Sequence, residues 1–115
     1  EMPAVNLISQ RDAIDVALRC LQCAENPPQV LNVAGPVVQV RDIVERLADH
    51  LGEEPRFHDD ENELALIGND ERCREMFGPY RDGVDEMIEA AARWVARGGE
   101  SWGKPTLFGK VSHEY

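Results

Sequence analysis

The sequence predicts a small α/β domain of about four helices and three to four short strands. Two observations support this fold class. Apolar residues recur at the i, i+3, i+4, i+7 spacing of a buried helix face, and short apolar runs lie between those segments. Helical and strand patterns also alternate, as is typical of α/β proteins. The 115 residues can bury one core but are too few for two domains, so we expect a single domain over residues 1–115, with an irregular tail from 100 to 115.

The beginning of the chain predicts a strand, a helix and a second strand. Residues 4–8 form an apolar run that is typical of a strand. Asp12 stands at a good N-cap position, and the apolar spacing behind it predicts a helix to about Ala24. After two prolines, residues 30–33 predict a buried strand that ends in a turn. No turn or cap signal precedes residue 4, which favours the latter part of a larger fold.

Two longer helices are predicted further along. Apolar residues follow a helical spacing over residues 40–51, and Gly52 directly after them is a normal left-handed helix end. The second pattern begins with Asp82 as a capping residue and ends before a Gly-Gly pair at 98–99. Trp94 lies on its apolar face, which predicts a core position for the indole.

The middle of the chain has weaker patterns. Arg56 and Phe57 can form a short strand, and residues 64–67 predict another strand or extended segment. Asn69 or Asp70 can cap a short helix through Phe77.

The charge of the chain excludes several classes of partner. A net charge of −10 repels polyphosphates, and the 12 basic residues are scattered, so neither nucleic acid nor an anionic membrane is an expected partner. No apolar run approaches the roughly 20 residues that a membrane span needs, and there is no secretion signal at the start. Three cysteines cannot all pair with one another. The sequence therefore predicts a soluble protein of the reducing cytoplasm.

Five short segments occur in a characteristic order over nearly the whole chain: 5–14, 31–36, 40–43, 77–80 and 104–106. They are similar, in that order, to a strand followed by Asp-Val-Ala and a helix, an Asn-Val-Gly-Gly strand end, the start of the next helix, a Leu-Gly-Trp-x-Pro turn and a Lys-Pro-Thr-His-Phe-Glu tail. Together they resemble the C-terminal part of an NAD-dependent epimerase/dehydratase of the extended short-chain dehydrogenase/reductase family. The resemblance implies the substrate-side portion of that fold, lacking most of the Rossmann domain.

Three positions depart from the family pattern. Gln39 stands where a capping Ser is usual, and Leu107 and Gly109 replace the His and Glu of the tail. The Arg-x-Gly-Asp of many nucleotide-sugar members is not found between Arg56 and Asp70. These departures put the usual nucleotide-sugar substrate in doubt.

The family's chemistry is hydride transfer between NAD or NADP and a sugar carbon, with a Tyr-x-x-x-Lys pair in the acid–base role. Neither Tyr80 nor Tyr115 is followed four residues later by Lys, and no Gly-x-Gly-x-x-Gly turn occurs. We therefore expect this chain to bind no cofactor and to be inactive alone. Its implied partners are the missing N-terminal Rossmann domain and a small-molecule sugar substrate.

A different hypothesis is a self-standing acidic binding or dimerisation module without catalytic activity. An upstream reading frame with a Gly-rich strand-turn-helix and a Tyr-x-x-x-Lys pair would separate the two hypotheses. For the fragment we expect a homodimer, because a strand edge or an apolar face that lacks its neighbours favours self-association. The residues expected in that interface are Val5, Leu7, Ile14, Leu18 or Leu21.

The resemblance implies that this region supplies the wall of a sugar pocket, with Asn32 and Arg56 as the candidate substrate-binding residues. An Asn at that position more commonly ties down a turn, and an Arg such as Arg56 is more commonly a solvated charge on an edge strand. Asp12 is interpreted as a helix cap and not as a catalytic group.

Cys20 and Cys23 have a C-x-x-C spacing, which raises a redox or zinc hypothesis. Their place at the C-terminal end of a helix argues against an activated thiolate, which a helix N-terminus stabilises. A zinc site would need two further ligands, for which only Cys73 with His50 or His58 could be considered. We therefore predict reduced thiols and no metal.

Overall fold

The elements alternate between strand and helix at the start of the chain and are all helical towards its end. The structure is a computed structural model that describes residues 2–58 and 60–104, so the predicted tail from 105 onwards, with its Leu107 and Gly109, lies outside the described residues. The elements are β1 (Ala4–Asn6), α1 (Gln10–Cys20), β2 (Val37–Gln39), α2 (Val40–Leu51), α3 (Glu71–Phe77) and α4 (Val84–Ala96). This confirms a small mixed α/β domain with four helices, whereas the described residues contain two strands and not three to four.

The two strands form one antiparallel pair. Ala4 faces Gln39, and Asn6 faces Val37. The pairing continues past both ends, because the Leu7 N–H donates to the carbonyl of Pro36 at 2.9 Å and the Val40 N–H donates to that of Pro3 at 2.9 Å. The strand predicted at 30–33 is therefore wrong: those residues are in neither strand nor helix, and the pairing with β1 begins after Gly35-Pro36.

Helix α1 begins and ends earlier than predicted. Its N-cap is Ser9, whose hydroxyl accepts the N–H of Asp12 at 3.0 Å, so Asp12 is a first-turn residue and not the cap. The Ser9 side chain takes this role because its oxygen reaches the third amide ahead in the usual capping geometry. The helix ends at Cys20 and not near Ala24.

Helices α2 and α4 pack against each other and supply three of the seven buried apolar residues in the described part of the chain. The buried residues there are Ala48 on α2 and Ile88 and Ala92 on α4. Small side chains at such a contact let two helices approach closely, and the Arg46–Asp85 ion pair at 2.5 Å bridges them at the surface. The bounds of α2 and its left-handed end at Gly52 are as predicted.

Two predictions for α4 are wrong. Its N-cap is Gly83 and not Asp82, whose carboxylate instead accepts hydrogen bonds from Arg11. Trp94 is 57% exposed and not part of the core. The indole packs on Gly99, where any Cβ would lie about 2.2 Å from the ring, and its Nε1 donates to the carbonyl of Glu100 at 3.2 Å. The chain that folds back after α4 thus holds the ring at the surface.

The segment between α2 and α3 has no strand within the part that the structure describes. Arg56 and Phe57 were predicted as one short strand and residues 64–67 as another, but neither has a strand partner. Side-chain contacts hold this segment: the Arg41 guanidinium lies 4.2 Å from the centre of the Phe57 ring, and its Nε donates to Glu61 at 3.3 Å. The short helix through Phe77 is confirmed as α3, which follows Asp70.

In the described ranges, no helix combines the length and the apolar character that crossing a bilayer requires.

Candidate functional site

A cleft of about 650 Å³ opens where β1, the segment before β2 and the start of α3 meet. Its volume is within the range of small-molecule sites in proteins. Together with the turn at 79–82, four separate parts of the chain form its wall. The lining residues are Asn6, Gly35, Pro36, Val37, Ile67, Gly68, Asn69, Asp70, Arg74, Pro79, Tyr80 and Asp82.

Asn6 joins two of these walls at the base of the cleft. Its Nδ2 donates to the carbonyls of Gly35 at 2.8 Å and Gly68 at 3.2 Å, and its Oδ1 accepts the Gly68 N–H at 2.7 Å. The side chain thus satisfies backbone groups of Gly35 and Gly68, which lie in two loops outside the sheet. Asn6 is not among the site residues predicted from the sequence, although one polar residue inside an apolar strand is a signal that could have identified it.

Gly35 fits tightly against the strand side of the cleft. Its φ of +79° is left-handed, and a Cβ there would lie 2.2 Å from the carbonyl oxygen of Leu7. Only glycine meets both conditions without strain.

Asp70 is the buried carboxylate of the cleft. It accepts the Gly35 N–H at 3.1 Å and Nε of Arg74 at 3.0 Å. Burial by itself raises the pKa of Asp70, but hydrogen bonding with Tyr80, Arg74 and Gly35 outweighs it and holds that pKa below its ordinary value. Asp70 is therefore ionised at neutral pH and ties the Gly35 segment to α3.

Tyr80 is held as a neutral phenol. Burial first, and then its hydrogen bonds with Asp70 and with the buried Cys73 thiol, raise the pKa of Tyr80 far above its ordinary value. Its hydroxyl donates to the sulfur of Cys73 at 3.8 Å, and the phenol does not serve as a base near neutral pH.

A second buried carboxylate supports the far wall of the cleft. Asp12 is 2% exposed and accepts the N–H groups of Arg81 at 3.1 Å and Asp82 at 3.0 Å, together with the hydroxyl of Ser9 at 3.1 Å. Arg11, on the same helix, donates to the side chain of Asp82. Helix α1 thereby fixes the turn that carries Tyr80 and Asp82 into the cleft.

The two predicted substrate-binding residues do not line this cleft. Asn32 is exposed, and its Nδ2 donates to the carbonyl of Asn69 at 3.1 Å, one residue before Asp70. It thus ties two loops together behind the cleft wall. Arg56 is exposed in the segment between α2 and α3. The structure therefore brings together Asn6, Asp70 and Arg74, which the sequence did not single out as a site.

A smaller groove of about 230 Å³ lies beside the end of α1, and both Cys20 and Cys23 line it. Both are free thiols, and Cys23 is exposed. In residues 2–58 and 60–104, no three His, Cys, Asp or Glu side chains are grouped closely enough to hold a metal ion.

Gly35 and Gly52 do not form a dinucleotide-binding turn. A phosphate-binding turn needs glycines that leave room for a pyrophosphate at a helix N-terminus. The space beside Gly35 is filled by this chain's own backbone, and Gly52 follows the C-terminal end of α2.

No protein-family model matches the chain, and neither a curated protein nor a solved structure is significantly similar to it.

Proposed function

We propose that this chain is the substrate-binding C-terminal region of an NAD-dependent epimerase/dehydratase that acts on a sugar or a nucleotide-sugar-like substrate. The observation that carries the proposal is the position of the cleft. It lies beside the first strand and next to Gly35 and Pro36, at the end of the 30–36 segment. The family resemblance implies a sugar pocket at these two places and at the acidic middle, whose described residues do not line the cleft.

The lining of the cleft suits a polyhydroxyl ligand. Its polar groups include the Asn69 amide, the Arg74 guanidinium and the Asp82 carboxylate, while Pro36, Val37 and Ile67 supply apolar surface. Sugars are bound by such combinations of hydrogen-bonding groups and apolar contacts. The catalytic Tyr-x-x-x-Lys pair and the cofactor would have to come from the implied nucleotide-binding region.

The outer face of α1 supports a further contact in the complete enzyme. Ile14, Leu18 and Leu21, which we call the α1 apolar face, are 52%, 61% and 75% exposed. Apolar side chains grouped on one helix face are usually covered by a partner. A nucleotide-binding domain packed on this face would meet that requirement.

The reading frame upstream of Glu1 provides the test. We expect it to encode a Gly-rich strand-turn-helix and a Tyr-x-x-x-Lys pair, and we expect the longer protein to bind NAD or NADP and to transfer hydride to or from a sugar nucleotide. A reading frame without these elements would refute the proposal.

A second candidate, an acidic dimerisation module, is favoured by the same α1 apolar face. Analytical ultracentrifugation separates the two. A dimer that Leu18→Glu dissociates, together with an upstream reading frame that lacks both cofactor elements, would support the module.

A further inference from the structure

Arg74 differs from the other charged groups of the cleft in how its hydrogen-bonding capacity is used. The Asp70 carboxylate accepts the Gly35 N–H and Nε of Arg74, and the Asp82 carboxylate accepts Nε and Nη2 of Arg11. Both acidic groups are thus compensated by the protein. Arg74 donates to Asp70 through Nε, and among the described residues its two terminal Nη groups have no protein acceptor.

The guanidinium is also oriented before any ligand binds. Asp70 lies one helical turn before Arg74 and is itself held by the Gly35 N–H at 3.1 Å. The hydrogen bond and the charge of Asp70 raise the pKa of Arg74, so the group is cationic at every relevant pH. An arginine held at one edge keeps a planar pair of N–H donors for a carboxylate or phosphate group.

A second donor lies close by in sequence and lines the same cleft. Asn69 Oδ1 accepts the Glu71 N–H at 2.9 Å, which leaves the side-chain amide nitrogen of Asn69 as a donor. The polar groups available to a ligand are therefore mainly donors, although the whole chain carries a net charge of −10.

We propose that the cleft binds a sugar carrying an oxyanion, either a phosphate or a carboxylate, and that Arg74 is the residue that contacts this group. The sugar part of this inference rests on the proposed function, whereas the oxyanion contact follows from the cleft alone. The contact would be bidentate, from Nη1 and Nη2 to two oxygens of the anion.

The test follows the Arg74 Nε–H resonance of the ¹⁵N-labelled 115-residue chain by NMR. The chain is titrated separately with glucose 1-phosphate, glucuronate and neutral glucose. We expect at least one charged sugar to shift the resonance in a saturable way, and comparison of the two identifies the phosphate or the carboxylate as the source. Glucose should bind at least about tenfold more weakly. Equal binding of glucose, or no saturable shift with either charged sugar, would overturn the inference.

Arg72→Gln provides a matched control for Arg74→Gln. Both residues are on α3 and both changes remove one positive charge, but Arg72 lines the other groove and donates to Gln29. The dissociation constant of the charged sugar should rise about tenfold or more in Arg74→Gln and change by less than about twofold in Arg72→Gln. Equal effects would indicate net charge alone and contradict the proposal. If Arg74→Gln does not fold, the titration of the Arg74 Nε–H resonance in the unmutated chain still shows whether Arg74 contacts the charged sugar.

The outcomes also separate this inference from the proposed function. Binding through Arg74 in a protein whose reading frame lacks a nucleotide-binding region would support the inference and refute the proposed function. If the longer protein transfers hydride on neutral sugars alone and binds no charged sugar, the proposed function is supported and the oxyanion inference is refuted.

Discussion

Replacing Asp12 by Ala is expected to destabilise the domain by about 2–4 kcal/mol. The carboxylate accepts two backbone N–H groups of the turn at Arg81 and Asp82, as well as the Ser9 hydroxyl. A buried donor left without its acceptor costs about 1–3 kcal/mol, and because these two amides are only partly buried, water recovers part of that cost. The loss is large against the roughly 5–15 kcal/mol that stabilises a small domain.

Urea unfolding followed by circular dichroism measures this change. With a slope of about 2 kcal/mol per molar urea, the midpoint should fall by about 1–2 M. Asp15→Ala is the matched control, because Asp15 is on the same helix and pairs with Arg19 at 2.9 Å near the surface. The control should change stability by less than about 1 kcal/mol. Equal midpoints for the two variants would refute the role assigned to Asp12.

The same carboxylate predicts a pH dependence. Burial raises the pKa of Asp12, but the hydrogen bonds from Asp82, Arg81 and Ser9 outweigh it, so the folded pKa lies below the ordinary value. A depressed folded pKa contributes stability that is complete above about pH 4 and is lost as the pH falls through the folded value. Asp12→Asn should therefore lose less stability than the wild type between pH 5 and pH 2. Identical pH profiles would contradict this reasoning.

Four further outcomes are expected. Gly35→Ala should destabilise the domain by about 2–4 kcal/mol in urea unfolding, because a Cβ there meets a backbone oxygen at 2.2 Å, whereas Gly52→Ala, with positive φ but nothing within 4 Å, should cost only about 1 kcal/mol. Calorimetry should find no binding of NAD or NADP to the 115-residue chain, and micromolar binding would refute this expectation. Native mass spectrometry should find Cys20 and Cys23 reduced and without stoichiometric zinc, since they lie at the C-terminal end of α1. Sedimentation should show a dimer that Leu18→Glu weakens, because Leu18 is 61% exposed on the α1 apolar face; a monomer at high concentration would contradict it.

Local pattern was sufficient where one segment determines its own structure. Helix α2 has apolar spacing along its whole length and a glycine at its left-handed end, and it forms at the predicted bounds. Helix α3 similarly follows Asp70 and ends before Gly78-Pro79. These signals depend on residues within a few positions of one another, so the sequence carries them directly.

The sequence pattern was misleading where contacts with another part of the chain determine the structure. Residues 30–33 have the apolar composition of a strand. The folded chain nevertheless places Val37–Gln39, which form β2, opposite Ala4–Asn6 as the antiparallel partner of β1. Trp94 lies on the apolar side of its helix pattern, yet the chain after Gly98 folds back onto it and holds it at the surface. Strand pairing and side-chain cover are properties of the neighbour, which periodicity does not contain.

The sequence by itself determined the size, the acidic charge, the mixed α/β class, most of the helices, and the lack of both the Tyr-x-x-x-Lys pair and the dinucleotide turn. The tertiary structure decided the cleft. Asn6, Gly35 and Asp70 are separated by 29 to 64 positions in the chain and meet through hydrogen bonds that have no fixed spacing. The groups that bury Asp12 and Asp70 are likewise remote, and it is burial with several donors that makes each carboxylate a support of the site. The sequence shows which residues carry a carboxylate, whereas only the folded chain determines which hydrogen-bond donors reach each carboxylate.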